Sequence, residues 1–354
     1  MKEVLLQNIN KFYDGEETIK NLTLKVEKGE MISLLGPSGC GKTTTLKIIA
    51  GLVEADQGKI FIDGKSMDHL PTQKRGAVIV FQDHRLFPHM TVGANIEFGL
   101  RMKRVPKSIR RKKVQEMLQF VGLEKQGGKF PGQISGGQKQ RVAIARGLIV
   151  DPAVLLLDEP FSNLDQRLKE EMRSFIVDIQ RKLKITTILV THDKEDALIT
   201  SSKIGVMFDG ELKQYGTPEE LYEAPNSLAV ARFFGEINEI PYKTIDDGKI
   251  HTAIGIYEKD GRLAELEETD KLLLRPEAIF LSKEDDGSGN TIRSEIGNSV
   301  LGKVNHRTFA GEKTYYEVDI DSLRIRGSVI GKGAFQTGES VFVHAAKESL
   351  IVCK

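Results

Sequence analysis

Cysteine is nearly missing: Cys40 and Cys353 are the only two among 354 residues, and they lie near opposite ends with no partners at metal-ligand spacing. Neither a disulfide framework nor a zinc site is implied, and a reducing compartment fits best. An excess of one charge is missing too, because 51 Lys and Arg face 50 Asp and Glu. That balance removes the general electrostatic case for nucleic acid, so no nucleic-acid partner is expected. No segment approaches the roughly 20 apolar residues that span a bilayer, and Met1–Asn8 has no apolar stretch of the signal-peptide kind. The expectation is a cytosolic chain that works at a membrane only by docking on proteins that span it. Repeats of about 20–50 residues are also missing, which argues against a solenoid.

What is present is an ordinary globular balance, 40% hydrophobic and 29% charged, in a chain long enough for two domains. From Met1 to about Gly235, short apolar runs alternate with amphipathic patterns, the signature of an α/β fold with a largely parallel sheet. Met31–Leu35, Val154–Leu157 and Thr187–Val190 read as buried strands. A helix is expected from near Lys42. Another is expected where Leu168, Met172, Phe175, Ile176, Ile179 and Leu183 recur at three- and four-residue steps to make one buried face. Between about His84 and Asp151 the pattern turns helical and basic, with Arg110, Arg111, Lys112 and Lys113 in a row, which reads as a helical insertion. Such a run is either a docking surface or a solvated helix face. After about Glu236, short β-like stretches at 271–275, 315–319 and 341–343 are separated by turn clusters such as that at 285–290. A second domain, a small β-barrel over 236–354, is expected.

Three groups of residues carry chemistry. Gly36, Pro37, Ser38, Gly39, Cys40, Gly41, Lys42 and Thr43 match the P-loop pattern between a strand and a helix, with Thr44 following. The glycines let consecutive N–H groups curl around phosphate oxygens at a helix N-terminus. Lys42 is expected on the β- and γ-phosphates of ATP, and the Thr43 hydroxyl on Mg²⁺. Asp158 and Glu159 end an apolar strand beside that loop, where carboxylates need a cation. Asp158 suits Mg²⁺, and Glu159 suits a general base for the attacking water. Ser135, Gly136, Gly137 and Gln138 open a helix as a second phosphate-binding element, with Ser135 as its N-cap.

In this order, together with Gln82, the loop at 162–165 and Thr191-His192-Asp193, these motifs resemble the nucleotide-binding subunit of an ATP-binding cassette (ABC) transporter. The resemblance covers the whole chain. It implies a P-loop cassette over 1–235 with a helical subdomain at about 84–151, and an OB-like, TOBE-type barrel over 236–354 like that of maltose, spermidine, sulfate and ferric-iron importers. It also implies that Tyr13 stacks on adenine and that Gln82 reaches Mg²⁺ and the water. His192 would contact the γ-phosphate, and Asp165 would act across a homodimer interface. Ser135 to Gln138 of one copy would close over ATP held by the other. Two transmembrane permease subunits and an extracytoplasmic solute-binding protein would complete an importer at the cytoplasmic face of the membrane.

Departures are small: Ile134 stands where Leu is commoner, and Asn163 where Ala is frequent. Cys40 inside the loop makes the site a target for thiol reagents. The alternative is a soluble cassette ATPase acting on nucleic acid or ribosomes. Such relatives usually carry two cassettes or a cassette split by a coiled coil, whereas this chain has one uninterrupted cassette. A regulator without turnover is disfavoured by the presence of both Glu159 and His192. The loop after Gln82 holds Leu86, Phe87 and Met90, an apolar cluster expected either to dock on a membrane partner or to anchor the helical insertion.

Overall fold

A computed structural model describes residues 2–162, 164–245, 248–283 and 299–354, so Asn163 and the turn cluster at 285–290 lie outside the described residues. The chain forms two compact units, 1–218 and 219–354.

In the first unit the strands Met31–Leu35, Val154–Asp158 and Thr186–Thr191 are buried at every residue. Such runs suit the interior of a parallel sheet, which is covered on both faces. These three lie in a six-stranded sheet, with Thr186–Thr191 between the other two, and all pairs but the outermost, Lys203–Phe208 with Glu211–Gly216, are parallel. One face packs with the helix Lys42–Ala50 and a four-stranded antiparallel sheet into a single apolar core containing Leu6, Ile19, Leu34, Leu46 and Leu156. A second cluster, with Leu155, Leu157, Met172 and Ile176, joins strand residues to the helix Gln166–Leu183. Leu183 departs from the expected buried face: it is 45% exposed, because the helix ends there as Lys184 turns left-handed at φ 49°.

The helical insertion comprises Val92–Met102, Lys107–Phe120 and Gly136–Leu148, packed around Val92, Ile96, Leu118, Val142 and Ala145. Within the basic run, Arg110 is structural, bonding Glu97 at 2.7 Å and the Val105 carbonyl at 2.8 Å. Arg111, Lys112 and Lys113 are exposed. Among the described residues, no helix is long and apolar enough to cross a membrane.

The second unit is largely antiparallel sheet. Its five-stranded sheet runs in the order Ile279–Ser282, Ser340–Ala345, Val300–Phe309, Lys313–Ile320, Leu323–Ile330. It curls so that its unpaired edge strands approach each other: a Cβ on Gly327 would stand 3.2 Å from Cγ2 of Ile279. This is the half-barrel of an OB-like domain, filled by Tyr316, Val318, Ile325 and Val343.

The boundary differs from the expected one near Gly235. The helices Pro218–Glu223 and Leu228–Phe234 go with the second unit, because Ala231 and Leu228 pack on Leu273, Ile351 and Cys353. Arg275, 4% exposed, clamps both helices by donating to the Ala231 carbonyl at 3.0 Å and the Tyr222 carbonyl at 3.1 Å, with its guanidinium 4.2 Å from the Tyr222 ring centroid.

Candidate active site

The phosphate loop sits where the sheet and the helix Lys42–Ala50 meet. Its first glycine is required by space, since a Cβ on Gly36 would fall 2.1 Å from the Met207 carbonyl oxygen. Gly41 is required by conformation: at φ 97° it turns the chain left-handed into the helix, with the Thr18 carbonyl 2.8 Å from where a Cβ would be. Pro37, Ser38 and Gly39 form the exposed crest, and Thr43 and Thr44 are half-buried in the first helical turn. Lys42 is 5% exposed and donates its ammonium to the Gly36 and Pro37 carbonyls, both at 2.7 Å.

Cys40 is less accessible than its place in the loop suggests. It is 4% exposed, and burial pushes its thiol above the ordinary value against the pull of Lys42, whose ammonium lies 3.6 Å from the sulfur.

Thr43 donates its hydroxyl to Asp158 Oδ1 at 2.8 Å. Burial raises the Asp158 carboxyl above the usual range, and that hydrogen bond works the other way. A hydroxyl and a carboxylate oxygen in contact, at a helix N-terminus built for phosphate, fit a hard cation such as Mg²⁺, which takes few protein oxygens and completes its shell with phosphate and water. Among the described residues, no group of three His, Cys, Asp or Glu side chains could hold a metal by itself.

Glu159 follows at φ 49°, a left-handed conformation uncommon outside glycine and asparagine. It is held there by its own N–H, which donates to the Val190 carbonyl at 2.9 Å, and by the Ser162 hydroxyl, which donates to its carbonyl at 2.7 Å. Because Val154–Asp158 and Thr186–Thr191 are paired in parallel, with Asp158 opposite Val190, their carboxyl ends come out side by side. There Oε2 of Glu159 meets Nδ1 of His192 at 2.7 Å, with Glu159 19% and His192 56% exposed. A backbone held in a sparsely populated region by its surroundings is characteristic of functional positions.

The other expected residues are not joined to this centre within one chain. Ser135 caps Gly136–Leu148 through a reciprocal pair, Gln138 N–H to Ser135 Oγ at 3.3 Å and Ser135 N–H to Gln138 Oε1 at 3.1 Å. Gly136 has nothing within 4 Å of where a Cβ would be. Ser135, Gly137 and Gln138 line a separate cavity of about 230 Å³ with Arg141, Leu168 and Glu171. Asp165 is exposed and caps Gln166–Leu183 by accepting from the Leu168 N–H at 3.0 Å. Tyr13, at the end of strand Val4–Tyr13, is 43% exposed with the Lys11 ammonium 5.3 Å from its ring centroid. Gln82 is exposed in the turn after Ala77–Val80.

The cluster after Gln82 is more buried than a free docking loop would be. Leu86, Phe87 and Met90 are all half-buried, and Phe87 packs on Phe98 with centroids 4.6 Å apart. Sequence reasoning missed the two side chains that hold this loop. Asn95, wholly buried, bonds both backbone groups of Phe87 and the carbonyls of Met90 and Thr91. Arg146 donates to the carbonyls of His84 and Arg85. A polar residue among the apolar positions of helix Val92–Met102 was the available signal for Asn95.

The chain is similar to known proteins in both of its units. The ABC transporter profile matches residues 19–162 and the TOBE domain profile residues 272–352. The spermidine/putrescine import ATP-binding protein PotA of Vibrio cholerae is 43% identical over 329 residues, spanning 90% of this chain and 84% of that one. The Fe(3+) ions import ATP-binding protein FbpC of Rhizobium etli is 42% identical over 321 residues, spanning 90% and 88%. Among solved structures, the ATP-binding cassette MJ0796, dimeric and bound to ADP and Pi after hydrolysis, is 32% identical with a TM-score of 0.55, covering 61% of this chain and 98% of that one. The cbiO1 protein of Clostridium perfringens, part of the ABC transporter complex cbiONQ, is 32% identical with a TM-score of 0.58, covering 62% and 89%. Identity of this extent over most of both chains means that the chain belongs to the ATP-binding proteins of the ABC transporter family and carries a TOBE domain in its second unit.

Proposed function

We propose that this chain hydrolyses ATP as one of two identical copies beneath two membrane-spanning permease subunits, and so drives the import of a solute delivered by an extracytoplasmic binding protein. Its place would be the cytoplasmic face of the membrane. The observation that carries the reading is the pairing at the strand ends: Thr43 with Asp158 at 2.8 Å and Glu159 with His192 at 2.7 Å.

Lys42 and the N–H groups of the loop bind the β- and γ-phosphates. Thr43 and Asp158 would hold Mg²⁺, with Gln82 reaching it from its exposed turn, and the ion would neutralise charge on the phosphate oxygens. Glu159 takes the proton of the attacking water. Since a carboxylate only accepts, His192 Nδ1 carries the hydrogen of their bond, and the Nε2 edge can donate to a γ-phosphate oxygen when that nitrogen carries a hydrogen as well, as in the imidazolium. Ser135, Gly136, Gly137 and Gln138 stand exposed or along their own cavity, as a surface needs to that receives phosphate from a second copy. The dimeric, nucleotide-bound state named for one structural neighbour supports the same arrangement. Tyr13 supplies an exposed ring for adenine, and Asp165 an exposed carboxylate for the interface.

Phosphate release by the purified chain, measured with and without Mg²⁺, tests the activity. Co-purification from membranes and identification of the associated chains tests the assembly. No Mg²⁺-dependent phosphate release, or membranes that yield the chain alone, would refute the reading.

A further inference from the structure

The loops that carry Glu159 and His192 are each continued by a helix, Gln166–Leu183 after the first and Lys194–Thr200 after the second. Five charged side chains fill the seam between these helices. Arg173, 3% exposed, donates Nε to Asp196 Oδ1 at 2.6 Å and reaches Glu195 Oε2 with Nη2 at 3.2 Å. Lys169, one turn earlier, pairs with Asp193 and lies 3.3 Å from Asp196 Oδ1. The carboxylates return to the backbone beside the histidine. Asp196 accepts from the Thr191 hydroxyl at 3.3 Å, and the Asp193 N–H donates to that same oxygen at 3.0 Å. Both neighbours of His192 in the chain are thus tied into one network.

The ion pair between Arg173 and Asp196, each 3% exposed, is a costly way merely to fasten a short helix, because apolar side chains of similar volume usually do so at least as well. Charges add orientation. The planar guanidinium fixes two carboxylates at once, and both belong to the first turn after His192. We propose that Lys169 and Arg173 are positioning residues for His192: they lock Lys194–Thr200 onto Gln166–Leu183 and thereby hold the imidazole against Glu159. This rests on the reading of Glu159 and His192 given above.

The test compares the full chain with Lys169→Met and with the double variant Arg173→Gln/Asp196→Asn, in which an amide pair replaces the ion pair and strands no buried charge. Each is measured for kcat and KM with Mg²⁺ and ATP, and for the isotope-labelled imidazole resonance of His192, assigned by its loss in His192→Ala. Displacement of a group by about 1 Å costs up to about 10²-fold in rate. The expected result is therefore a kcat lower by roughly 10–100-fold, a KM within about threefold of the parent and a shifted resonance. In a His192→Ala background the same changes should lower kcat by no more than about a further twofold, since the path through the imidazole is already gone. A kcat within about threefold of the parent, an unmoved resonance, or an equal loss in both backgrounds would each overturn the proposal. Should the double variant fail to fold, Lys169→Met carries the test, its site being partly open at 15% side-chain exposure. If His192→Ala itself keeps full activity, the role given to the histidine fails instead, and the resonance alone decides whether the seam positions it.

Discussion

His192 holds Glu159 through Nδ1 at 2.7 Å, and the contact exists because the two strands that precede these residues lie side by side in parallel register. The pair sets a division of labour at one strand end: a carboxylate beside the phosphate loop, oriented by a ring whose other edge remains open.

Glu159→Gln should keep ATP binding and lose turnover. Removing a general base costs about 10²–10⁴-fold in rate. Glutamine keeps an acceptor for His192 Nδ1, so the fold around φ 49° should survive. A phosphate-release assay reads the rate. Size-exclusion in ATP without Mg²⁺ reads the accompanying prediction, an ATP-trapped dimer. Undiminished hydrolysis would reject the role.

Lys42→Ala should weaken ATP binding itself. The ammonium is buried inside the loop, bonded to the Gly36 and Pro37 carbonyls, at the place where phosphate oxygens are to be received. Titration with a fluorescent ATP analogue measures it, and unchanged affinity would contradict the assignment.

Both thiols should be silent in the folded chain. Cys40 is 4% exposed and Cys353 wholly buried, and burial raises the pKa of each. A thiol-reactive chromogenic disulfide should label neither within minutes under native conditions, and both once guanidinium unfolds the chain. Rapid labelling of Cys40 in the native protein would mean that the loop opens readily.

Asn95→Ala should lower the melting temperature of the chain. It removes a buried side chain that bonds the backbone of Phe87, Met90 and Thr91, and leaving such groups unsatisfied costs about 1–3 kcal/mol. Phe87→Ala should destabilise more mildly, by about 1–2 kcal/mol, because the ring is only half-buried against Phe98. Calorimetry of both variants separates anchoring from docking. An unchanged melting temperature for Phe87→Ala, with loss of solute-stimulated ATPase in the assembled transporter, would assign the ring to docking.

A fragment ending at residue 218 should be better behaved than one ending at 235. The longer fragment keeps Leu228 and Ala231 but loses Leu273, Ile351 and Cys353, against which they pack, together with the Arg275 clamp. Solubility and ATP binding of the two fragments decide it. Equal behaviour would place the boundary back near Gly235.

What the sequence alone determined is what depends on neighbours along the chain. A glycine-rich turn between an apolar run and a helix marks a phosphate loop in the sequence, although the close approach of Met207 to Gly36 and of Thr18 to Gly41 is set by the fold. Apolar runs at 31–35 and 154–157 specify buried parallel strands, since few other environments accept them. The capping role of Ser135 follows from its own helix. What tertiary structure decided are the relations between distant segments. The register of Val154–Asp158 against Thr186–Thr191 brings Glu159 to His192, and the seam between two helices gives Lys169 and Arg173 their carboxylates. Packing closed over Cys40, drew Phe87 onto Phe98 and carried the helices at 218–234 into the second unit. Burial and ion pairing depend on which surfaces meet in space, and a one-dimensional pattern shows only which surfaces are available to meet.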